Sequence, residues 1–178
     1  MKVMKFGGTS VGKPERMYQV AQLITRDNEP TIVVLSALSG TTNTLVSIGE
    51  ALSRGDKEEA KQIVDQLEAH YQQFILDLLK QDAARAKAQQ QISEHFEFLN
   101  IITKISFNDA LNKDILAQGE LMSTKLFSIY LEEQGIDHSF LPALEFMSID
   151  ANDEPQLGMI RQKLQAILAQ HPNQQLFI

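Results

Sequence analysis

Two short apolar segments near the start of the chain, Lys2-Val-Met-Lys-Phe6 and Thr31-Ile-Val-Val-Leu35, restrict the fold more than any other feature. The second carries no charge and is rich in β-branched residues, which suits a strand buried on both faces of a parallel sheet covered by helices. Between them, Pro14 to Arg26 places Met17, Val20, Ala21 and Ile24 at helical spacing, and Asp27-Asn-Glu-Pro30 forms a turn. Strand, helix and strand in this order predict a right-handed crossover and an α/β fold.

The remainder is mainly helical by pattern. Thr42 to Ser53 and Lys57 to Leu79 are expected helices, separated by Arg54-Gly-Asp56, and the second has Ile63, Leu67, Phe74 and Leu78 as its apolar stripe. Ala83 to Lys104 is rich in Gln and Ala, then apolar through Phe96, Phe98, Leu99 and Ile102. Lacking Pro and Gly, residues 57–104 form a helical excursion from the sheet rather than a linker, with the glutamines on a solvated face. A further helix is expected to start at Gly119-Glu120 and run to about Gln134. Short strands are expected around Ser139 to Leu141 and Phe146 to Ile149, then a helix over Pro155 to Ala169. Gln175-Leu-Phe-Ile178 reads as the opening of a buried strand, so the chain is expected to be a piece of a longer one.

The first strand runs into Gly7-Gly-Thr-Ser-Val-Gly12. Glycines let a backbone approach a ligand closely and adopt φ > 0, so that successive N–H groups converge on an anion. The helix start that follows adds partial positive charge, and Lys5 can reach the same anion. The segment is built to hold phosphate. Gly7 to Lys13 also fits the first seven positions of the P-loop pattern, but the eighth is Pro14, which has no hydroxyl for magnesium and suits the first turn of a helix. The strand ending at Leu35 also runs into Ser36, where a P-loop ATPase needs an aspartate.

Composition narrows the remaining classes. At 178 residues the chain can bury a sizeable core, and with 43% hydrophobic and 22% charged residues it is ordinary for a globular protein. A net charge of −7 without a basic cluster argues against nucleic acid and anionic membranes as partners. The absence of cysteine removes disulfides and thiolate metal sites. The N-terminus enters a strand without a signal-peptide hydrophobic region, so the expected compartment is the cytoplasm. His70, His95, His138 and His171 show no paired ligand spacing and read as surface or boundary residues; no metal ligand set is expected. Asp150-Ala-Asn-Asp-Glu154 lacks the glycine of a calcium loop and reads as a solvated turn, and Glu132-Glu133 point in different directions.

Three segments carry a resemblance: Lys5-Phe-Gly-Gly-Thr-Ser-Val-Gly12, Val33-Val-Leu-Ser-Ala-Leu-Ser-Gly-Thr-Thr-Asn43 and Gln118-Gly-Glu-Leu-Met-Ser-Thr124. In this order and spacing the chain resembles the N-terminal part of aspartokinase, of the amino-acid kinase superfamily, over essentially its whole length. The resemblance implies an αβα sandwich with a central, mostly parallel sheet, residues 1–178 being the N-terminal part of an amino-acid kinase domain without its nucleotide-binding half and regulatory domains, and a homo-oligomeric parent. It implies transfer of the γ-phosphoryl group of ATP, taken with Mg2+, to the side-chain carboxylate of L-aspartate, the step that opens lysine, threonine and methionine synthesis. Some relatives are fused to a homoserine dehydrogenase, and many carry regulatory domains.

The implied roles fall on matching residues. Lys5 would neutralise charge on the transferring phosphoryl; Gly7 and Gly8 would offer N–H groups to the phosphates, with Thr9 and Ser10 in support. Thr42 would bind aspartate with Ser36 close by, Ser39 being a weaker candidate, and Glu120 would pair with the α-ammonium. Each has a plainer alternative. Lys5 could close an edge strand, Ser36 or Thr42 could cap the next helix, and Glu120 could serve the dipole in a first helical turn. Nothing after Glu120 matches the Gly-rich segment ending in a catalytic aspartate that the resemblance implies. The chain alone is therefore expected to show little kinase turnover. The competing classes are a non-catalytic fragment or interaction module pairing through a sheet edge, and a P-loop NTPase.

Overall fold

A computed structural model describes every residue except Asn28, so that one position of the expected turn lies outside the described residues. Strands β1 (Lys2–Phe6), β2 (Thr31–Leu35) and β3 (Leu176–Phe177) form a parallel sheet in the order β1-β2-β3, with Met4 opposite Val33 and Thr31 opposite Leu176. Between β1 and β2 lie a four-residue helix, α1 (Gly8–Val11), and α2 (Pro14–Ile24), which buries Met17, Val20, Ala21 and Ile24 as their spacing requires. The fold is α/β with a parallel sheet.

One expectation about the sheet fails. Along β2, Thr31, Val33 and Leu35 are buried, but Val34 is 44% exposed, and on β1 Val3 is 65% exposed. The face that carries them is only partly covered, by Leu121 and by residues 140–147. Between β2 and the segment after Phe140 runs an apolar groove of about 360 Å³, lined by Ile32, Val34, Leu121, Phe146 and Met147 among others.

The excursion consists of two long helices, α4 (Lys57–Leu78) and α5 (Asp82–Ile102), packed on each other and on α3 (Thr41–Ser53) and α6 (Asp109–Glu133). Asp56 caps α4 by accepting from the Glu59 N–H at 2.9 Å. Val64, Leu67, Tyr71, Ile75 and Leu78 then repeat every three or four residues and are all buried. The Tyr71 ring meets Phe96 of α5 edge-on, with centroids 5.6 Å apart. Glu133 accepts from the N–H groups of Lys80 and Gln81, both at 2.7 Å, so it holds the α4–α5 turn, while Glu132 pairs with Lys87.

Three boundaries differ from expectation. The helix placed at Gly119 begins ten residues earlier, at Asp109, capped by the Asn108 side chain accepting from Leu111 N–H at 2.9 Å. Ser139 to Leu141 lies along β3 and Ile178 through three bonds, Ser139 N–H to Leu176 O, Ile178 N–H to Ser139 O and Leu141 N–H to Ile178 O, with one bridge at Ser139 rather than a full strand. Phe146 ends a short helix, α7 (Ala143–Phe146), and Ile149 only bridges Pro155, which delays the start of α8 to Leu157 (Leu157–Gln170). The acidic segment before it is an exposed turn in which Asp150 accepts from the N–H groups of Asn152 and Glu154. Among the described residues no helix is long and apolar enough to cross a membrane.

Candidate functional site

The chain leaves β1 and β2 at the same end of the sheet, and Ser36 N–H still bonds Phe6 O at 3.0 Å, so the two following loops start side by side. Ligands of open α/β sheets bind in this position, beyond the carboxyl ends of the strands. In the first loop, Lys5 is exposed and lies close to Gly7: its Nζ is 3.7 Å from where a Gly7 Cβ would be. Gly7 then caps α1, leaving the Gly8 and Thr9 N–H groups without a partner inside that helix.

The glycines of this loop do not act through positive φ, as the sequence suggests. Gly7 has φ −77° and Gly12 φ −75°. Their neighbours explain them instead. A Cβ on Gly8 would lie 3.0 Å from Ala37 O, and one on Gly12 2.5 Å from Ser39 Cβ and 2.8 Å from Gly8 O. The first loop is bare so that the second can lie against it. This arrangement also disfavours a P-loop, because residues 8–11 form a helical turn and the exposed Lys13 is the cap residue before α2.

The second loop runs from Ser36 to Gly40, where φ is +87°, the left-handed region that favours glycine. Gly40 occupies the cap position of α3, and no side chain caps that helix, so neither Ser36 nor Thr42 has the capping role. Thr42 and Ser39 are exposed, and Ser36 is half-buried. Leu38 and Ala37 anchor the loop in the core.

The third segment supports the second. Gly119 sits inside α6 where a Cβ would come within 2.7 Å of Ala37 Cβ and 3.2 Å of Leu45 Cδ1. Ser123, fully buried, donates to Ser36 O at 2.8 Å, and Glu120 Oε1 accepts from Ala37 N–H at 3.3 Å. Glu120 is exposed and lies three turns into α6, so the dipole alternative for it does not apply. With one carboxylate oxygen held by the loop, the other can receive a cation. All three segments singled out in the sequence therefore meet around Ser36 and Ala37.

Sequence reasoning missed two buried polar residues next to these segments. Tyr71 reaches the start of α3 from α4, and its signal was only its place on an apolar stripe. His95, expected near the surface, is 9% exposed, and its Nδ1 meets Gln118 Oε1 at 2.7 Å. Gln118 donates its amide N–H to Asp114 O at 2.9 Å, so its oxygen must accept from His95. His95 Nε2 is then a buried acceptor with no partner among the described residues.

Burial holds the His95 pKa below 6.5, Lys125 pushes the same way, and the bond to Gln118 and the Glu94 charge oppose them. An unfolded histidine protonates first, so stability present above pH 6.5 is lost as pH falls through the lowered value. Urea unfolding at about pH 7 and about pH 5 should show a steeper loss for the wild type than for His95→Gln, which keeps a donor but does not titrate. Parallel losses would show that His95 carries none of it.

The sequence matches the Amino acid kinase family over residues 1–174. It is 30% identical over 177 residues to the bifunctional aspartokinase/homoserine dehydrogenase 2 of Escherichia coli, covering 98% of this chain and 22% of that protein. It is 37% identical over 159 residues to the chloroplastic aspartokinase 3 of Arabidopsis thaliana, covering 85% of this chain and 27% of the relative. The fold matches E. coli aspartokinase III in complex with aspartate and ADP, with a TM-score of 0.78 and 26% identity over 99% of this chain and 40% of the other. The same enzyme in complex with lysine and aspartate gives a TM-score of 0.82 at 24% identity, over the same shares of the two chains. The chain thus spans about a quarter of the length of these curated relatives.

Proposed function

The chain belongs to the amino acid kinase family, and on that footing we propose that it is the N-terminal, aspartate-side part of an aspartate kinase. The observation that carries this reading is the meeting of three segments at the second loop: Gly8 and Gly12 against Ala37 and Ser39, Ser123 on Ser36, and Glu120 on Ala37. In the proposed reaction an oxygen of the aspartate side-chain carboxylate attacks the γ-phosphorus of ATP. A new O–P bond forms, the bond to the β-phosphate oxygen breaks, and ADP leaves with the electron pair.

Such transfers depend mainly on positioning and charge neutralisation. Lys5 supplies positive charge at the phosphoryl group, while the N–H groups of Gly7 and Gly8, with Thr9 and Ser10, hold the phosphate oxygens. Ser36 and Thr42 orient aspartate, and Glu120 pairs with its α-ammonium. In this reading Mg2+ enters with the nucleotide substrate. A role in amino-acid biosynthesis follows from the same reading, with the cytoplasm as the proposed compartment. A second reading, association through the sheet, is favoured by the exposed Val3 and Val34 on the partly covered face at the edge strand β1.

The phosphate side is tested by titrating Mg2+–tripolyphosphate, which needs no nucleoside pocket, into the chain. Lys5→Ala is expected to weaken binding several-fold, as loss of one exposed charge contact does, while Lys13→Ala leaves it unchanged. The reverse result would restore the P-loop; equal small effects would remove the phosphate cradle.

A further inference from the structure

The helical excursion makes a polar contact with the start of α3, immediately after the proposed substrate loop. The Tyr71 hydroxyl and Thr41 Oγ1 share a hydrogen bond of 3.3 Å, with Tyr71 fully buried and Thr41 2% exposed. Neither hydroxyl has another hydrogen-bond partner among the described residues. Thr41 is the first residue of α3, immediately after the left-handed Gly40 and immediately before Thr42. Its methyl lies 3.5 Å from where a Gly119 Cβ would be, so the pair stands beside the turn of α6 that carries Glu120.

The tyrosine ring is buried where α4 meets α5, edge-on to Phe96. Packing alone would be satisfied by phenylalanine; the hydroxyl is what reaches α3. Burial raises its pKa well above the usual phenol range, the bond to Thr41 opposes the rise, and the Glu120 charge adds to it, so the hydroxyl remains protonated. Without side-chain capping at Gly40, the first turn of α3 is fixed at Thr41 by its backbone N–H bond to Leu38 O and by this hydroxyl pair.

We propose that Tyr71 is a positioning residue of the substrate site: through Thr41 it pins the first turn of α3 to the excursion and so aims Thr42 and the second loop at the ligand. This rests on the aspartate-binding reading for its functional consequence, but not for its structural one. A free helix start would sample several orientations, and binding would have to select one; a pinned start avoids that loss.

The test uses the whole chain as wild type, Tyr71→Phe, Thr41→Val, Thr41→Ser and the Tyr71→Phe/Thr41→Val pair, with amide NMR spectra, thermal melts and L-aspartate titrations. Tyr71→Phe is expected to melt cooperatively, to shift the amide resonances of Ser39 to Thr44 and of Glu120, and to weaken aspartate about three- to ten-fold, the scale of one lost buried hydrogen bond. Thr41→Ser, which keeps the hydroxyl, should bind like wild type, and the double variant should be no weaker than the weaker single one. Additive losses, or shifts confined to α4 and α5, would overturn the proposal. Should the wild type bind no aspartate, the substrate reading falls, and the loop resonances alone decide: moved, the pinning stands; unmoved, it fails. If Tyr71→Phe does not fold, the contrast between Thr41→Val and Thr41→Ser decides in the same way.

Discussion

Gly12→Val is expected to destabilise the chain by more than about 3 kcal/mol, and Gly12→Ala by about 1–3 kcal/mol, in urea unfolding. Backbone conformation is not the cause, since φ of −75° suits any residue. The new Cβ would lie 2.5 Å from Ser39 Cβ and 2.8 Å from Gly8 O. Both atoms belong to, or sit directly on, the backbone of the two loops, so no side-chain rotation relieves the clash. The loops must part, and tripolyphosphate binding should fall with stability. Gly49→Ala provides the contrast within the same protein. Its Cβ would meet Asn112 Oδ1 at 2.3 Å, an atom at the end of a side chain that can swing aside. In a helix interior, alanine also gains roughly 1 kcal/mol over glycine, so the net change should be small. Equal losses for Gly12→Ala and Gly49→Ala would mean that the two loops are not in tight contact.

Much of this architecture is legible in the sequence because it rests on local periodicity. Lys2–Phe6 and Thr31–Leu35 are strands at the expected residues, and α2 buries the four residues that its spacing selects. The excursion is helical where the pattern lacks Pro and Gly. What failed depends on contacts between distant segments. Gly119 looks like a helix start, but within α6 it is the place where Ala37 lies against the helix. The same misreading put Glu120 in a first turn, when it is deep in a long helix and bonded to a loop 83 residues away.

Gly8 and Gly12 do not supply the positive φ that their pattern suggests; they make room for a neighbouring loop. Val34 looked like core because β-branched residues suit both buried and half-buried strands. His95 could not be placed inside, because its partner Gln118 is brought to it only by the packing of α5 on α6. The candidate site itself was legible as three motifs, and the fold adds that they touch.

The most direct test is the response of the 178-residue chain to L-aspartate and to succinate, which has the two carboxylates but no ammonium. Glu120 Oε1 is occupied by Ala37 N–H, leaving the second oxygen of an exposed carboxylate for a ligand. A charge-assisted bond of this kind is worth about 1.5–3 kcal/mol, so Glu120→Gln should weaken L-aspartate about ten- to a hundred-fold. Succinate should bind weakly to both proteins and change little. The account predicts saturable amide shifts at Ser36, Thr42 and Glu120 with L-aspartate, and loss of the preference over succinate in Glu120→Gln. No saturable shift at these residues, or a preference that survives Glu120→Gln, would contradict it.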